Sequence, residues 1–457
     1  MCKRIEISKD PFKKACVTTK VFYSLFFLGW CSGITEKIIL CSKEIQGTSS
    51  KKYSKKDLFV SDNMIGSVFF IEVLEVDLTL TLKQKAIRKM ARQFAENELA
   101  PIAREIDAER RFPWEVIEKM GAVNFFGMQA PRKYGGAELD SISYCIAVGE
   151  LSRICAAIGL TVSVHNGVAV YPISVFANET QKKRFLPSLA AGEKIGGFCL
   201  TEPNAGSDAN AIEATAIPHG DDYIVNANKI YVTNGGVADI LLVFTSVVSE
   251  GVKGGMGVFI VERGTPGFTV GILEDNCGMR ANPVTSIILN DCRIPKANLL
   301  GEEGQGFKIG MIALETGRIG IAAQAVGIAQ GALDVSIKYA KERIQFKVPI
   351  ARHQAIQMML ADMSTSVEAA RLLTYKAAHK KDKGESLSGP SSMAKLFAAR
   401  TASQVASMGL QIHGGYGYSK EYPIERYFRD ARVTEIYEGT NEIQQMVIAR
   451  ELMKASS

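Results

Sequence analysis

The chain has 457 residues, 47% of them hydrophobic and 22% charged, with a formal net charge of +6. This length predicts two or three domains, and the ordinary globular composition excludes an intrinsically disordered chain. No basic stripe indicates nucleic-acid binding. The nine cysteines include no C-x-x-C pair and lie beside no histidines at ligand spacing, which argues against a metal site and suits a reducing compartment.

Residues 1–78 differ in sequence pattern from the rest of the chain. The apolar run from Val21 to Cys31 has eleven residues, too few to span a bilayer, and no convincing small-residue cleavage site follows it. We expect a poorly ordered extension of unknown role without stable membrane insertion, the alternative being a weak membrane-surface anchor. Glu6 and Asp10, with few arginines, argue against a mitochondrial transit peptide. A cytoplasmic location of the bacterial type is therefore expected ahead of the mitochondrial matrix.

Helical periodicity predicts an N-terminal α-helical domain over residues 79–197. Apolar residues recur at helical spacing from Leu82 to Ile106. Asp140 is placed to cap a helix that runs to Ala157, and further helical sequence follows to Ala190.

Residues 198–305 change to short strand-like runs separated by turn residues. The runs are Ala214 to Ile217, Tyr223 to Val225, Lys229 to Val232, Ile240 to Val247, Val258 to Val261 and Ser286 to Leu289. They predict a small, mostly antiparallel middle β-domain. Helical periodicity returns over residues 306–457 in long amphipathic runs typical of a four-helix bundle. The predicted fold class is therefore α+β multidomain, with a helical domain, an antiparallel β-domain and a C-terminal four-helix bundle.

Five segments combine glycines, aromatic rings and charged side chains in ways suited to a ligand site. In chain order they are residues 198–208 (FCLTEPNAGSD), 229–236 (KIYVTNGG), 343–354 (RIQFKVPIARHQ), 411–417 (QIHGGYG) and 429–444 (RDARVTEIYEGTNEIQ). Backbone amides of the first segment can approach a flat ligand, and an aromatic ring of the second can pack against it. The plain structural interpretations are a surface turn and a hairpin.

The last three segments place charge or glycines at helix ends. Arg343 is suited to binding phosphate, or is an exposed helix-terminal cation. The glycines after Gln411 are suited to a pyrophosphate or adenine, although they match neither a Rossmann nor a P-loop fingerprint. Glu438 precedes a helix start at which Asn441 and Gln444 resemble a capping box. By itself, Glu438 is equally consistent with a solvated carboxylate near a helix dipole.

In this order and at these spacings, the segments resemble the acyl-CoA dehydrogenase family over about residues 78–457. The motifs that carry the resemblance are LTEPNAGSD, VTNGG, ER-x-x-F, QIHGGYG and IYEGT. The run from Gly317 to Gln330 is most similar to short-chain, butyryl-CoA-type members. The resemblance implies FAD-dependent α,β-dehydrogenation of a short-chain acyl-CoA to the trans-2-enoyl-CoA. It also implies a homotetramer (a dimer of dimers) that passes electrons to electron-transferring flavoprotein.

The same resemblance assigns roles to individual residues. Glu438 is the implied catalytic base for the α-proton, and an apolar site would raise its pKa toward neutrality. Certain branched- and long-chain relatives place their base immediately before the arginine equivalent to Arg318, where this chain has Gly317. The implied acyl-CoA contacts are Ser207, Glu315, Arg318 and Gly439. The implied FAD contacts are Phe198, Cys199, Leu200, Thr201, Ser207, Tyr231, Val232, Thr233, Arg343, His353, Gln354, Gln411, Ile412, His413, Gly414, Gly415, Thr440, Asn441 and Glu442. Of these, Gln411 to Gly415 are expected from a neighbouring subunit.

Two positions depart from the family pattern. Tyr231 stands where the family often has Trp, so an aromatic face is kept. Lys347-Val348 follow Phe346 where the family usually has Gly-Lys. The loop beside the FAD phosphates is therefore expected to differ.

The run from Ala156 to Val170 is expected to line the acyl pocket. It holds no Arg or Lys that would pair with a second substrate carboxylate, which favours a short, uncharged acyl chain. A phenylpropenoyl-type substrate is the alternative. His165 is expected to be packed or hydrogen-bonded rather than catalytic.

Two other functions stay open at the level of sequence. Within the fold, the alternatives are an enoyl-CoA reductase running in the reverse direction and an acyl-CoA oxidase. The alternative from another class is a non-catalytic flavin-binding scaffold. The presence of Glu438 argues against the scaffold.

Overall fold

The computed structural model describes residues 79–455, and the extension expected over residues 1–78 lies outside them. The described part confirms the predicted order of helices, sheet and helical bundle. Its N-terminal helices are α1 (Leu82–Phe94), α2 (Ala103–Glu109), α3 (Trp114–Ala122), α4 (Ser141–Ile154), α5 (Ala156–Val164), α6 (Tyr171–Phe176) and α7 (Glu179–Ala191). Two π-helical segments, Ala95–Leu99 and His165–Val170, continue α1 and α5.

Side-chain caps determine where several of these helices begin. Thr81 and Gln84 form a reciprocal capping box at α1, and Asp140 accepts a hydrogen bond from Ser143 N–H at α4 as predicted. Two predicted helices are interrupted. The first breaks after Leu99 because Pro101 has no N–H to donate. The second ends at Ile154, since Cys155 is extended (φ −140°, ψ 98°) and separates α4 from α5.

The middle domain is a seven-stranded sheet. Its strands are β1 (Gly196–Cys199), β2 (Thr215–His219), β3 (Asp222–Val232), β4 (Ile240–Ser249), β5 (Val252–Glu262), β6 (Phe268–Leu273) and β7 (Thr285–Pro295). The order is β1-β4-β2-β3-β7-β6, with β5 also paired to β4. Four pairings are antiparallel, whereas β4 runs parallel to both β1 and β2. The sheet is therefore mixed rather than purely antiparallel, and β1 begins two residues before the domain boundary predicted at residue 198.

The C-terminal bundle packs around one long helix. Its helices are α8 (Gly306–Glu342), α9 (Gln354–Asp382), α10 (Ser388–His413), α11 (Ile424–Val433) and α12 (Asn441–Ala455). A short hairpin of β8 (Ile344–Gln345) and β9 (Val348–Pro349) connects α8 to α9. One hydrophobic core joins the N-terminal helices to the bundle, a second joins α7 to β4 and β5, and a third fills the other face of the sheet. These cores fix the sheet and both sets of helices around the candidate site.

Among the described residues, two helical stretches are apolar and long enough to cross a membrane: Ala156–Phe176 and Gly306–Glu342. They meet this criterion by length and composition only. Within the fold, 94% and 83% of their apolar windows are buried, as in core helices.

Candidate active site

Glu438 lies in the turn between α11 and α12. Its backbone is left-handed (φ 49°), and so is that of Gly439 (φ 92°). Both carboxylate oxygens are buried without a hydrogen-bond partner. Burial raises the pKa of Glu438 to about 8, and the positive charges of Arg318 and Lys395 act in the opposite direction. The carboxyl group is thus kept close to the midpoint of its titration near neutral pH, as a general base requires.

The Glu438 carboxylate is packed against the bare backbone of α8. A Cβ atom built on Gly317 would lie 2.1 Å from Glu438 Oε2 and 2.8 Å from Val168 Cγ1. Only glycine at this position leaves the space that the carboxylate occupies. Val168 belongs to the 156–170 segment, so the structure brings Glu438 together with the predicted acyl pocket. A base was considered at two positions, 317 and 438. The fold brings these two positions together, with the Glu438 carboxylate in the space beside Gly317.

Two predicted acyl-CoA contacts, Glu315 and Arg318, lie on α8, and the charge of Arg318 acts on the Glu438 carboxylate. Arg318 is buried, its Nη1 is 3.4 Å from Ser392 Oγ, and its Nε has no partner. Burial also raises the pKa of Glu315, while the charge of Arg318 opposes that shift. Gln444 Oε1 is a further buried atom without a partner. Unpartnered polar atoms are uncommon in folded proteins, and their concentration around Glu438 is typical of a site that is completed by a ligand.

A buried ion pair joins the first two predicted FAD segments. Lys229 Nζ lies 2.5 Å from Glu202 Oε1 and 3.1 Å from Leu200 O, and both charged side chains are almost fully buried. Ile230 N–H donates to Thr201 O at 3.0 Å. These contacts place Phe198 to Thr201 beside Tyr231 to Thr233.

Within these segments, the side chains differ in what they offer to a ligand. Tyr231 has a left-handed backbone (φ 53°) and an exposed ring. Cys199 and Val232 are buried, so only their backbone groups are placed to contact a ligand. Ser207 is exposed, and Phe198 packs against Phe244 at a ring separation of 4.7 Å.

A separate cavity of about 570 Å³ lies between the end of α8 and the end of α10. It is lined by Arg343, Gln345, Ile412, His413, Gly414 and Gly415, among others. The Arg343 guanidinium lies 5.3 Å from the centre of the Tyr416 ring and forms no ion pair with any residue in 79–455. His413 lines this cavity, stacks on Tyr339 at 4.3 Å and has a buried Nε2 without a hydrogen-bond partner in residues 79–455. No hydrogen bond within the described part of the chain connects this cavity to residues 198–207 or 229–233.

Models of the acyl-CoA dehydrogenase family match three successive parts of the chain. The N-terminal domain matches residues 81–193, the middle domain residues 197–292 and the C-terminal domain residues 304–453. The chain belongs to the acyl-CoA dehydrogenase family. Members of this family are FAD-dependent oxidoreductases, and FAD is the cofactor of this chain.

Three similar proteins extend this assignment. Acryloyl-CoA reductase (NADH) of Anaerotignum propionicum is 47% identical over 383 residues, covering 83% of this chain and 96% of the relative. The solved structure of butyryl-CoA dehydrogenase from Megasphaera elsdenii is 43% identical, with a TM-score of 0.81 over 82% of this chain and 100% of that chain. A chain from structural work on the electron transferring flavoprotein of Acidaminococcus fermentans is 46% identical, with a TM-score of 0.81 over 82% of this chain and 99% of that chain. This acyl-CoA dehydrogenase thus groups with short-chain members of the family.

The residues of this family member fit FAD. The exposed ring of Tyr231 beside the Thr201 backbone offers an aromatic face with hydrogen-bonding groups. The cavity at Arg343 offers a guanidinium without a carboxylate partner, next to the backbone of two glycines, which suits a phosphate. Within residues 79–455, no group of three or more His, Cys, Asp or Glu side chains is arranged to hold a metal ion.

The other predicted cofactor contacts have more local partners. Asn441 does not form the predicted capping box with Gln444, because its side chain already binds Glu435 (3.1 Å) and Lys395 (3.4 Å). Thr440 instead accepts from Ile443 N–H at 3.3 Å, and Glu442 follows in the first turn of α12. His353 precedes Gln354 at the start of α9, and its Nε2 is buried without a partner.

His165 is a packed residue, as expected. Its Nδ1 accepts a hydrogen bond from Gly196 N–H at 3.0 Å, and its Nε2 lies 3.1 Å from Leu189 O. The ring is therefore neutral, with the proton on Nε2. Burial lowers the pKa of His165 to about 4. It joins the helical domain to the start of β1, and both ring nitrogens are occupied by these backbone contacts.

The supporting roles of several side chains around the site were not predicted from the sequence. These are Lys395, Gln444 and the Glu202–Lys229 pair. A signal was present for Lys395, which occupies a stripe of small residues on α10 formed by Ser391, Ser392, Ala398, Ala399 and Ala402. A lone lysine in such a stripe indicates a buried charge with a specific partner.

Proposed function

We propose that this acyl-CoA dehydrogenase catalyses the α,β-dehydrogenation of a short-chain acyl-CoA to the trans-2-enoyl-CoA, with Glu438 as the base for the α-proton. The observation that carries this proposal is the Glu438 carboxylate itself. It is buried, lacks any hydrogen-bond partner and points between Gly317 and Val168. A structural carboxylate in such surroundings would be costly to bury without a partner.

The residues around Glu438 account for removal of a weakly acidic proton. The raised pKa gives the carboxylate enough basicity to accept the α-proton, and burial excludes water that would solvate it. Within the described part of the chain, the backbone N–H of Glu438 makes no hydrogen bond, which leaves it free to donate to the thioester carbonyl oxygen as negative charge develops there. The chemistry that a bound FAD would supply is acceptance of the hydride that leaves the β-carbon.

The acyl chain is proposed to be short and uncharged. The 156–170 segment is fully buried, carries no Arg or Lys, and approaches the same position of α8, Gly317, as the Glu438 carboxylate through Val168. A second carboxylate on the substrate would be desolvated there without a cation. The likeness to butyryl-CoA dehydrogenase supports the same chain length.

The physiological direction has a second candidate. The relative from Anaerotignum propionicum is named acryloyl-CoA reductase (NADH), and the same base can return a proton to the α-carbon of an enoyl thioester. The two directions are distinguished by supplying butyryl-CoA with an electron acceptor and crotonyl-CoA with a reductant, and comparing kcat/KM. An oxidase would instead reoxidise its flavin rapidly in air.

We further propose electron-transferring flavoprotein as the partner and a homotetramer as the assembly. The similar chain from work on an electron transferring flavoprotein supports the first. For the second, the cavity that holds Arg343 with Gln411 to Gly415 is suited to the phosphates of a neighbouring subunit's FAD. Arg343 would then bind the FAD of the neighbouring subunit, together with the glycine segment, and would not contact the FAD of its own subunit. A cytoplasmic location stays a prediction.

The test is anaerobic titration of the FAD-loaded protein with acyl-CoAs of increasing length, following loss of flavin absorbance. Bleaching should be fastest with short chains. Glu438→Gln should keep FAD and lower the bleaching rate by about 100- to 10,000-fold. A variant that bleached at the parent rate would exclude Glu438 as the base, and equal rates for all chain lengths would exclude the short-chain assignment.

A further inference from the structure

Lys395 is a buried cation on the face of α10 that packs toward Glu438. Its side chain has no exposed surface. Its Nζ donates to Gly439 O at 2.8 Å and to Asn441 Oδ1 at 3.4 Å. Within residues 79–455, no carboxylate forms an ion pair with it. Buried lysines are rare in proteins because desolvation of the ammonium is costly, so this one needs a reason.

The acceptor that Lys395 uses is the carbonyl group of the residue after the base. Gln444 Nε2 also donates to Gly439 O, at 2.9 Å, and lies 3.3 Å from Glu438 O. Two donors from two helices therefore converge on one carbonyl. The turn they hold contains two successive left-handed residues, and the non-glycine one, Glu438, is strained by roughly 1–2 kcal/mol. Such a turn persists only when its surroundings fix it.

Charged and titratable groups from several neighbouring elements face Glu438 and Lys395. Glu438 is faced by Arg318 from α8 and by the phenols of Tyr144 and Tyr437, besides Lys395. The groups facing Lys395 are Glu438, Arg318, Glu435 and Glu442. Burial lowers the pKa of Lys395, while the negative charges of Glu438, Glu435 and Glu442 raise it and so favour the ammonium form.

We propose that Lys395 is the positioning residue for Glu438: its ammonium group fastens the Gly439 carbonyl and holds a positive charge beside the carboxylate. This inference rests on Glu438 being the base. Two effects follow from it. Loss of the charge raises the pH at which the carboxylate forms, and loss of the hydrogen bond loosens the turn that aims it.

The experiment reads the Glu438 carboxyl group directly, by infrared titration of the FAD-loaded protein. The carboxylic-acid band that disappears in Glu438→Gln identifies the group. Lys395→Met removes charge and donor, and Lys395→Gln keeps a donor without the charge. Arg400→Met removes an exposed cation from the same helix and serves as the matched control. Retained FAD absorbance and melting temperature show which variants are folded.

Both Lys395 variants should move the midpoint of the Glu438 band upward by about one pH unit or more, and Arg400→Met should leave it in place. Below the new midpoint, kcat should fall by about tenfold for each pH unit by which the midpoint has risen, with a smaller change in KM. Unchanged midpoints in Lys395→Met and Lys395→Gln would overturn the inference. If Glu438→Gln kept full activity, the proposed function would fail instead, and the infrared result would separate the two failures.

Discussion

At the scale of single residues, the geometry of Gly317 decides which carboxylate can act. A Cβ atom at residue 317 would overlap Glu438 Oε2, so a side chain at this position and the observed position of Glu438 exclude each other. In this chain, Gly317 of α8 leaves space without a side chain, and the carboxylate of Glu438, from the turn before α12, occupies that space.

Gly317→Ala should therefore displace the proposed base, Glu438, while keeping the cofactor. The methyl group would force the carboxylate to move by about an ångström or more, and a displacement of that size lowers the rate of the chemical step by about 100-fold. The measurement is the rate of anaerobic flavin bleaching by butyryl-CoA, with FAD content measured in parallel.

Gly149→Ala on α4 is the control for this substitution. A Cβ there would make an ordinary contact, 3.5 Å from Ala323 O, so the bleaching rate should not change. Parent-like bleaching in Gly317→Ala would mean that the carboxylate does not occupy this space during catalysis.

How much of the site was predictable varied with the kind of residue. Glu438, Arg318 and Tyr231 could be proposed because motifs fix them to positions along the chain. The role shared by Lys395 and Gln444 could not be proposed, because only the folded structure brings both side chains to one acceptor, Gly439 O. The capping-box interpretation of Asn441 failed for the same reason, since its side chain is held by Lys395 and Glu435.

At the scale of elements, two strands, β1 and β6, were not predicted, because their sequences lack the alternation of apolar and polar residues by which half-buried strands are recognised. β6 lies at the edge of the sheet, and none of its residues is buried. Gly196 and Gly197 open β1, which within residues 79–455 pairs with β4 alone and runs parallel to it. The predicted runs Tyr223 to Val225 and Lys229 to Val232 proved to be one strand, β3. Its burial alternates from Asp222 to Lys229, but Asn, Ala and Asn stand between the two runs and are residue types depleted in strands.

The β8–β9 hairpin explains how Lys347, at a position where the family usually has glycine, strains the backbone. Gln345 pairs with Val348, so Phe346 and Lys347 form a two-residue turn, and both have positive φ (53° and 68°). Turns of this kind favour Asn or Gly at these positions because they tolerate left-handed backbone. The family glycine falls where Lys347 is strained.

Lys347→Gly should accordingly stabilise the protein by about 0.5–1 kcal/mol, less than the full relief of strain because glycine loses more entropy on folding. It should be seen as a higher melting temperature of the FAD-loaded protein. Lys338→Gly makes the same change of charge on a residue within α8 and should be destabilising by about 1 kcal/mol. A melting temperature that fell in both variants would show that Lys347 is not strained in solution.

At the scale of the whole molecule, the helical domain, the sheet and the bundle depend on one another. His165 ties the helical domain to β1, and the Glu202–Lys229 pair ties the segment after β1 to β3. Arg426 and Tyr427 of α11 bind backbone carbonyls at the end of α4. The site is therefore assembled from all three parts, and Glu438 reaches a pocket whose wall comes from the N-terminal helices.

This assembly predicts that a chain starting at Leu78 folds and works on its own. Residues 78–457 form one compact unit, and the family models match within it, from residue 81 to residue 453. Every side chain assigned to base, cofactor or substrate lies inside that unit. The truncated protein should bind FAD, bleach with butyryl-CoA at the parent rate and melt at a similar temperature. Loss of FAD or of folding on truncation would assign residues 1–77 a structural role, whereas unchanged behaviour would leave the complete catalytic apparatus to the remainder of the chain.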